Sequence, residues 1–173
     1  IQSMADTPAM REAVRHANEA HWILFTSING VDAFFEAMAL EKKDVRALAG
    51  VRIAAIGPAT SDRLVDKGLK PDLLPQRFVA EALLEALDAT EPFKDQTYLL
   101  PRSEIARADL ADGLRERGAN VIEVPAYRTL QESSMPEDLL DRIEDDKINL
   151  VTFTSSSTVN NFVELLPPAR RPD

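Results

Sequence analysis

Apolar positions in this chain come in short runs, each followed by a small polar join and then by helical spacing. The clearest is Trp22-Ile23-Leu24-Phe25, which passes through Thr26-Ser27-Ile28-Asn29-Gly30-Val31 into Asp32-Ala33-Phe34-Phe35-Glu36-Ala37-Met38. The pattern predicts a buried strand running straight into a helix. Such a corner leaves the first backbone N–H groups of the helix free, so it can hold an anion. The same pattern returns near the end, where Leu150-Val151-Thr152-Phe153-Thr154-Ser155-Ser156-Ser157-Thr158-Val159 leads into Asn160-Asn161-Phe162-Val163-Glu164-Leu165-Leu166. Phe, Thr, Ser, Val, Phe and Glu recur in register between the two copies. Two matched strand–turn–helix units, far apart in one chain, suggest two similar lobes facing a shared ligand.

Between the copies the pattern keeps alternating. Thr7 and Pro8 are the N-cap and first residue of a helix reaching about residue 20. A strand at 22–26, a helix at 29–39 and a short helix at 41–49 follow. A strand at 51–56 stops at Gly57-Pro58, and the next helix ends at Gly68, a common C-terminal glycine. The proline-bracketed 71–75 segment reads as an edge strand. A helix at 78–87, a strand at 97–100 ending in Pro101-Arg102-Ser103, a helix at 104–117 stopped by Gly118, and a strand at 120–124 complete the series. Strands alternating with helices over short connections predict an α/β fold with a doubly wound parallel sheet and right-handed crossovers.

The rhythm changes at Gln131-Glu132-Ser133-Ser134-Met135-Pro136, a polar run that reads as a domain boundary. After it come only one helix (136–144), one strand and one helix. A single βα pair makes no covered sheet, so the second lobe reads as incomplete. The tail from Pro167 to Asp173 carries no structural signal, and the start at Ile1, without an initiator Met, reads as that of a partial sequence.

Composition narrows the function. The 173 residues are 45% hydrophobic and 28% charged, with a formal net charge of −9, which argues against a nucleic-acid partner, since that needs a basic face. The chain has no cysteine, hence no disulfide framework, which fits a cytoplasmic location. No apolar run approaches the roughly 20 residues that span a bilayer, so no membrane partner is expected. His16 and His21 lack a surrounding ligand pattern, so no metal is expected. There is no G-x-G-x-x-G or P-loop pattern and no His placed to activate a nucleophile.

Several motifs taken in order resemble the uroporphyrinogen-III synthase family. They are Phe25-Thr26-Ser27 with Asn29-Gly30-Val31, Ile56-Gly57-Pro58-Ala59-Thr60, and Phe78-Val79-Ala80-Glu81 with Leu83-Leu84. Leu99-Leu100-Pro101-Arg102, Val124-Pro125-Ala126-Tyr127-Arg128-Thr129 and Phe153-Thr154-Ser155-Ser156-Ser157-Thr158-Val159 complete them. The resemblance implies two flavodoxin-like lobes joined by a two-stranded linker, one inserted in the other. Residues 4–126 would be the inserted lobe, 127–135 the linker with 1–3 as its partner strand, and 136–173 part of the first lobe. The implied chemistry needs no cofactor. A monomer would cyclise hydroxymethylbilane, a linear tetrapyrrole with eight carboxylates, to uroporphyrinogen III, inverting the last pyrrole ring and losing water. Such a site must grip carboxylates, bring the chain ends together and protonate a departing hydroxide.

By this resemblance Tyr127 is the acid, since a phenol with an ordinary pKa near 10 is protonated at neutral pH; the alternative is an aromatic side chain packing the linker. Thr26, Ser27, Ile28 and Asn29 are expected to offer amide and hydroxyl donors to substrate carboxylates, with Ser155, Ser156 and Ser157 as their counterparts; capping the helix is the competing and compatible role. Thr60, in the Gly57-Pro58 turn, is a cleft-lining residue of the family or a cap. Arg102 ends a strand at the carboxyl edge, where doubly wound folds bind ligands, and pairs either with substrate or within its lobe. A non-catalytic tetrapyrrole- or anion-sensing module of the same fold is the rival reading. One half of a bifunctional chain carrying a methyltransferase is a third.

Overall fold

The Trp22–Phe25 run is a strand buried along its whole length, and its side chains serve two cores. Ile23 and Phe25 join one apolar cluster, Trp22 and Leu24 the other, which is the two-residue alternation of a strand covered on both faces. The structure, a computed structural model, describes residues 1–90, 92–136, 138–153 and 155–168. It divides into two units, Ile1–Thr129 and Leu130–Asp173.

In the first unit the chain forms β1 (Gln2–Ser3), α1 (Pro8–Arg15), β2 (Trp22–Phe25), α2 (Ile28–Leu40), β3 (Arg52–Ala55), α3 (Pro58–Asp66), α4 (Ala80–Asp88), β4 (Thr97–Ser103), α5 (Asp109–Glu116) and β5 (Asn120–Arg128). The sheet order is β1-β5-β4-β2-β3. The last four strands are parallel, and β1 lies antiparallel to β5 with Gln2 opposite Arg128 and Ser3 opposite Tyr127. Numbered in chain order, the parallel strands run 2-1-3-4, a doubly wound order. Leu73 adds a single parallel bridge to Ala54 beyond β3; counted as a strand, it makes the order 3-2-1-4-5. In either count the winding reverses between β2 and β4. Residues of α1 and α2 fill one core, and residues of α4 and α5 fill the other.

Several elements differ from the sequence expectation, for local reasons. The first helix ends at Arg15, and 17–19 form a separate 3-10 turn. The 41–49 segment contains only a 3-10 turn, Val45–Leu48, capped by Asp44. The fourth helix starts at Ala80 rather than at Phe78. β4 continues through Pro101 and Arg102 to Ser103, paired with β5 and shifted in register after Arg102. The stretch 104–108 is a turn tied to strand ends by Glu104 N–H to the Tyr127 carbonyl (3.0 Å) and Ala106 N–H to the Ser103 carbonyl (3.1 Å), so α5 is shorter than 104–117.

The second unit holds α6 (Leu139–Glu144) and α7 (Ser156–Leu165). The strand expected at 150–153 is absent, because a strand exists by pairing and this unit offers no partner strand among the described residues. Leu150, Val151 and Phe153 are exposed there. Thr154, expected in the repeated corner, and 169–173 of the tail lie outside the described residues.

Two contacts fix the first layer of helices. A Cβ on Gly30 would meet the Pro101 carbonyl oxygen at 2.8 Å, so only glycine lets α2 press this closely on β4. Glu41, just past α2, accepts from Arg11 Nε (2.5 Å) and Arg15 Nε (2.8 Å) on α1. These bonds to Arg15 and Arg11 hold its carboxyl down at a pKa of about 2, from 4.5.

Gly30→Ala is expected to lower stability by about 1–3 kcal/mol, the usual cost of an overpacked contact; an unchanged urea midpoint would contradict the contact. Because the pKa of Glu41 falls on folding, its stabilisation is complete above pH 4.5 and is lost as pH drops toward 2. Glu41→Gln should therefore lower stability at pH 6 and flatten the acid limb below pH 4.5. A parallel acid limb in both proteins would contradict the clamp.

Candidate active site

The site is built where β2 turns into α2. Ser27 is extended (φ −157°, ψ 155°), and its Oγ accepts the Gly30 N–H at 3.1 Å. The Val31 N–H reaches the Ser27 carbonyl. The Ile28 and Asn29 N–H groups find no acceptor among the described residues, and both residues are exposed. Next to this corner, α3 begins at Pro58 after Gly57, which offers no side-chain cap, so the Ala59 and Thr60 amides also find no acceptor among the described residues. Thr60, in this first turn, is buried; it does not cap the helix. Helix N-termini carry partial positive charge, so both corners favour an anion.

A cavity of about 410 Å³ opens on the same edge, beside the reversal of winding. Thr26, Ile56, Phe78, Leu100, Arg102 and Arg107 are among its lining residues. Thr26 and Arg102 are thus brought to one cavity. The Arg102 guanidinium is not open to a ligand, however. It is buried, donates from Nη1 to Glu123 Oε2 at 2.5 Å, and donates from Nη2 to the Arg107 carbonyl. Of the two alternatives for Arg102, the structure has the intralobe pair. Glu123 also accepts from Arg115 Nη2 at 2.7 Å.

Tyr127 lies at the end of β5, opposite Ser3 on one side and Ser103 on the other, and packs partly against the core. It does not line the cavity. Among the described residues its hydroxyl has no hydrogen-bond partner. The chain's other tyrosine, Tyr98, is fully buried against Phe93, and burial pushes its phenol up to about 12. Tyr98 is unsuited to proton transfer, whereas Tyr127 stands at a strand end.

The second unit repeats the helix cap of this corner. Ser155 is extended (φ −159°, ψ 158°), its Oγ accepts the Thr158 N–H at 3.3 Å, and the Thr158 Oγ1 closes a capping box. Ser155 Oγ also lies 2.9 Å from Ser157 Oγ. The Ser156 and Ser157 amides find no acceptor among the described residues. Phe25 meets Phe34 edge-on at 5.5 Å, and Phe153 meets Phe162 edge-on at the same 5.5 Å. The cap and the phenylalanine pair are thus repeated in the second unit, while the strand before them is not.

The model of the family described as uroporphyrinogen-III synthase HemD matches residues 1–173. This chain belongs to the uroporphyrinogen-III synthase family. It is 35% identical over 156 residues to the uroporphyrinogen-III synthase of Synechococcus elongatus, covering 90% of this chain and 58% of that one. It is 29% identical over 146 residues to the Chlorobaculum parvum uroporphyrinogen-III synthase, covering 83% and 59%. The crystal structure of the Thermus thermophilus uroporphyrinogen III synthase superposes with a TM-score of 0.60 at 22% identity, covering 92% of this chain and 62% of that chain. The chain thus spans about three fifths of the length of these synthases, and the last match shows a shared mixed α/β fold.

Phe78, Val79 and Arg107 were not among the site residues expected from the sequence, although Phe78 and Val79 belong to a motif that carried the resemblance. All three fall in stretches read as helix, where Phe78 and Val79 pass for core residues because Ala82 and Leu83 follow at helical spacing. Among the described residues no group of His, Asp or Glu could hold a metal ion, and no helix is long and apolar enough to cross a membrane. Ser27→Ala should cost about 1 kcal/mol by freeing the Gly30 amide; an unchanged denaturation midpoint would mean the cap contributes nothing.

Proposed function

We propose that the protein is a uroporphyrinogen-III synthase that closes hydroxymethylbilane into uroporphyrinogen III with inversion of the last pyrrole ring and loss of water. The observation that carries the proposal is the family match along the entire chain. The twin corners, each with two open amides at a helix start, support it physically, since a substrate with eight carboxylates calls for many anion-accepting groups. The residue ranges proposed are 4–126 for an inserted lobe, 127–135 with 1–3 for a two-stranded linker, and 136–173 for part of the other lobe. The antiparallel pairing of Gln2 with Arg128 and Ser3 with Tyr127 supports the linker. The exposed Leu150, Val151 and Phe153 support a lobe whose sheet these residues would enter.

In this reading the amides of Ile28, Asn29, Ser156 and Ser157 take carboxylates and Thr26 lines the cavity, while Thr60, buried in the first turn of α3, makes no substrate contact. Holding the two ends of a flexible tetrapyrrole together supplies much of the acceleration by proximity. Tyr127 donates the proton to the departing hydroxide, leaving the carbocation-like pyrrole arm to be attacked by the ring at the far end. Backbone N–H groups suit this task, because they fix carboxylates without presenting a base that would compete for the proton.

Supplied with hydroxymethylbilane, the protein should give isomer III in excess over the isomer I that forms spontaneously; isomer I alone would overturn the proposal. Tyr127→Phe should lower turnover by roughly 10²-fold or more, the scale of general acid catalysis, with product binding nearly unchanged. Full turnover in that variant would remove Tyr127 from the mechanism.

A further inference from the structure

Arg107 is the exception in the electrostatics of the first unit. The chain carries 29 acidic against 20 basic side chains, and the other arginines of this unit each reach a carboxylate, an amide oxygen or an aromatic ring. Arg107 is exposed and lines the 410 Å³ cavity, and its guanidinium has no partner among the described residues. Its backbone, by contrast, is fixed. The Arg107 carbonyl accepts from buried Arg102, and Arg102 is anchored in turn on Glu123. A cation without a counter-ion on an immobilised backbone suits an incoming anion, which then breaks no existing pair and orders no loop.

The remaining lining sets what else the anion carries. Ile56, Leu100 and Leu110 make an apolar floor, and Phe78 stands 56% exposed at its side. Glu81 and Asp109 also line the cavity, in the first turns of α4 and α5, and their charges oppose a second carboxylate. The volume is of ordinary ligand size, enough for one substituted pyrrole and too little for four.

We propose that this cavity seats one carboxylate-bearing pyrrole ring of the tetrapyrrole, with Arg107 binding that carboxylate and Arg102 acting as the positioning residue that holds Arg107 in place. The inference rests on the tetrapyrrole reading above and assigns a subsite within it. Uroporphyrin III, the stable oxidised porphyrin with eight carboxylates, is the probe, titrated by fluorescence at several salt concentrations. Arg107→Gln should weaken binding about tenfold, as loss of a charged hydrogen bond does, and make the salt dependence shallower. Arg102→Lys retains the charge but not both bonds. It should weaken binding when Arg107 is present and add no further loss in the Arg107→Gln background, the signature of coupled residues. Equal losses in both backgrounds would overturn the positioning role of Arg102. Unchanged affinity and salt dependence in Arg107→Gln would overturn the subsite while leaving the tetrapyrrole reading intact. No binding of uroporphyrin by the unsubstituted protein would overturn that reading itself.

Discussion

The chain passes from a buried strand into a helix within two residues, and the bond from the Gly30 N–H to Ser27 Oγ holds that turn. Much of the first unit depends on it. Because α2 begins so abruptly, its first turn lies against the end of β4, where the Pro101 carbonyl leaves room only for a glycine. Because the Ser27 side chain satisfies one amide and its carbonyl another, the two remaining N–H groups, on exposed Ile28 and Asn29, have no acceptor among the described residues. The corner stands where the sheet reverses its winding, the place at which a doubly wound sheet leaves a crevice. One backbone turn thereby supplies both packing and a site for anions.

The same cap at Ser155 occurs in a unit that has no sheet among its described residues. Its cap, its extended backbone angles and its edge-on phenylalanine pair match those at Ser27, so the corner is a local device written in a few residues. The difference lies in the strand before it. Phe25 is fully buried, while Phe153 is 43% exposed, because β2 has neighbours on both sides and residues 150–153 have none among the described residues. Local sequence is sufficient for the helix and its cap, and strand pairing is not a local property.

That division explains what could be read in the sequence. Parallel strands buried on both faces show as apolar runs, and Thr7-Pro8, Gly68 and Gly118 mark helix ends by chemistry that acts within one turn. The pairing of β1 with β5, anchored by Arg128 Nε on Gln2 Oε1 at 2.7 Å, was legible only through the family resemblance. Beyond reach were features set by contacts distant in sequence. β4 runs past Pro101 because β5 continues beside it, and 104–108 is a turn because strand ends and Arg102 hold it. Arg102 was recognisable as an edge residue, but its partner Glu123 lies on the neighbouring strand with no local signal. Arg107 became visible only once every other arginine of its unit had been given a contact.

The central claim is that the corner at Ser27 presents its free amides to an anionic guest, and amide-resolved NMR addresses it most directly. With uroporphyrin III added to isotope-labelled protein, the account predicts that the backbone signals of Ile28 and Asn29 shift in a saturable way. Unchanged signals at both amides would contradict it.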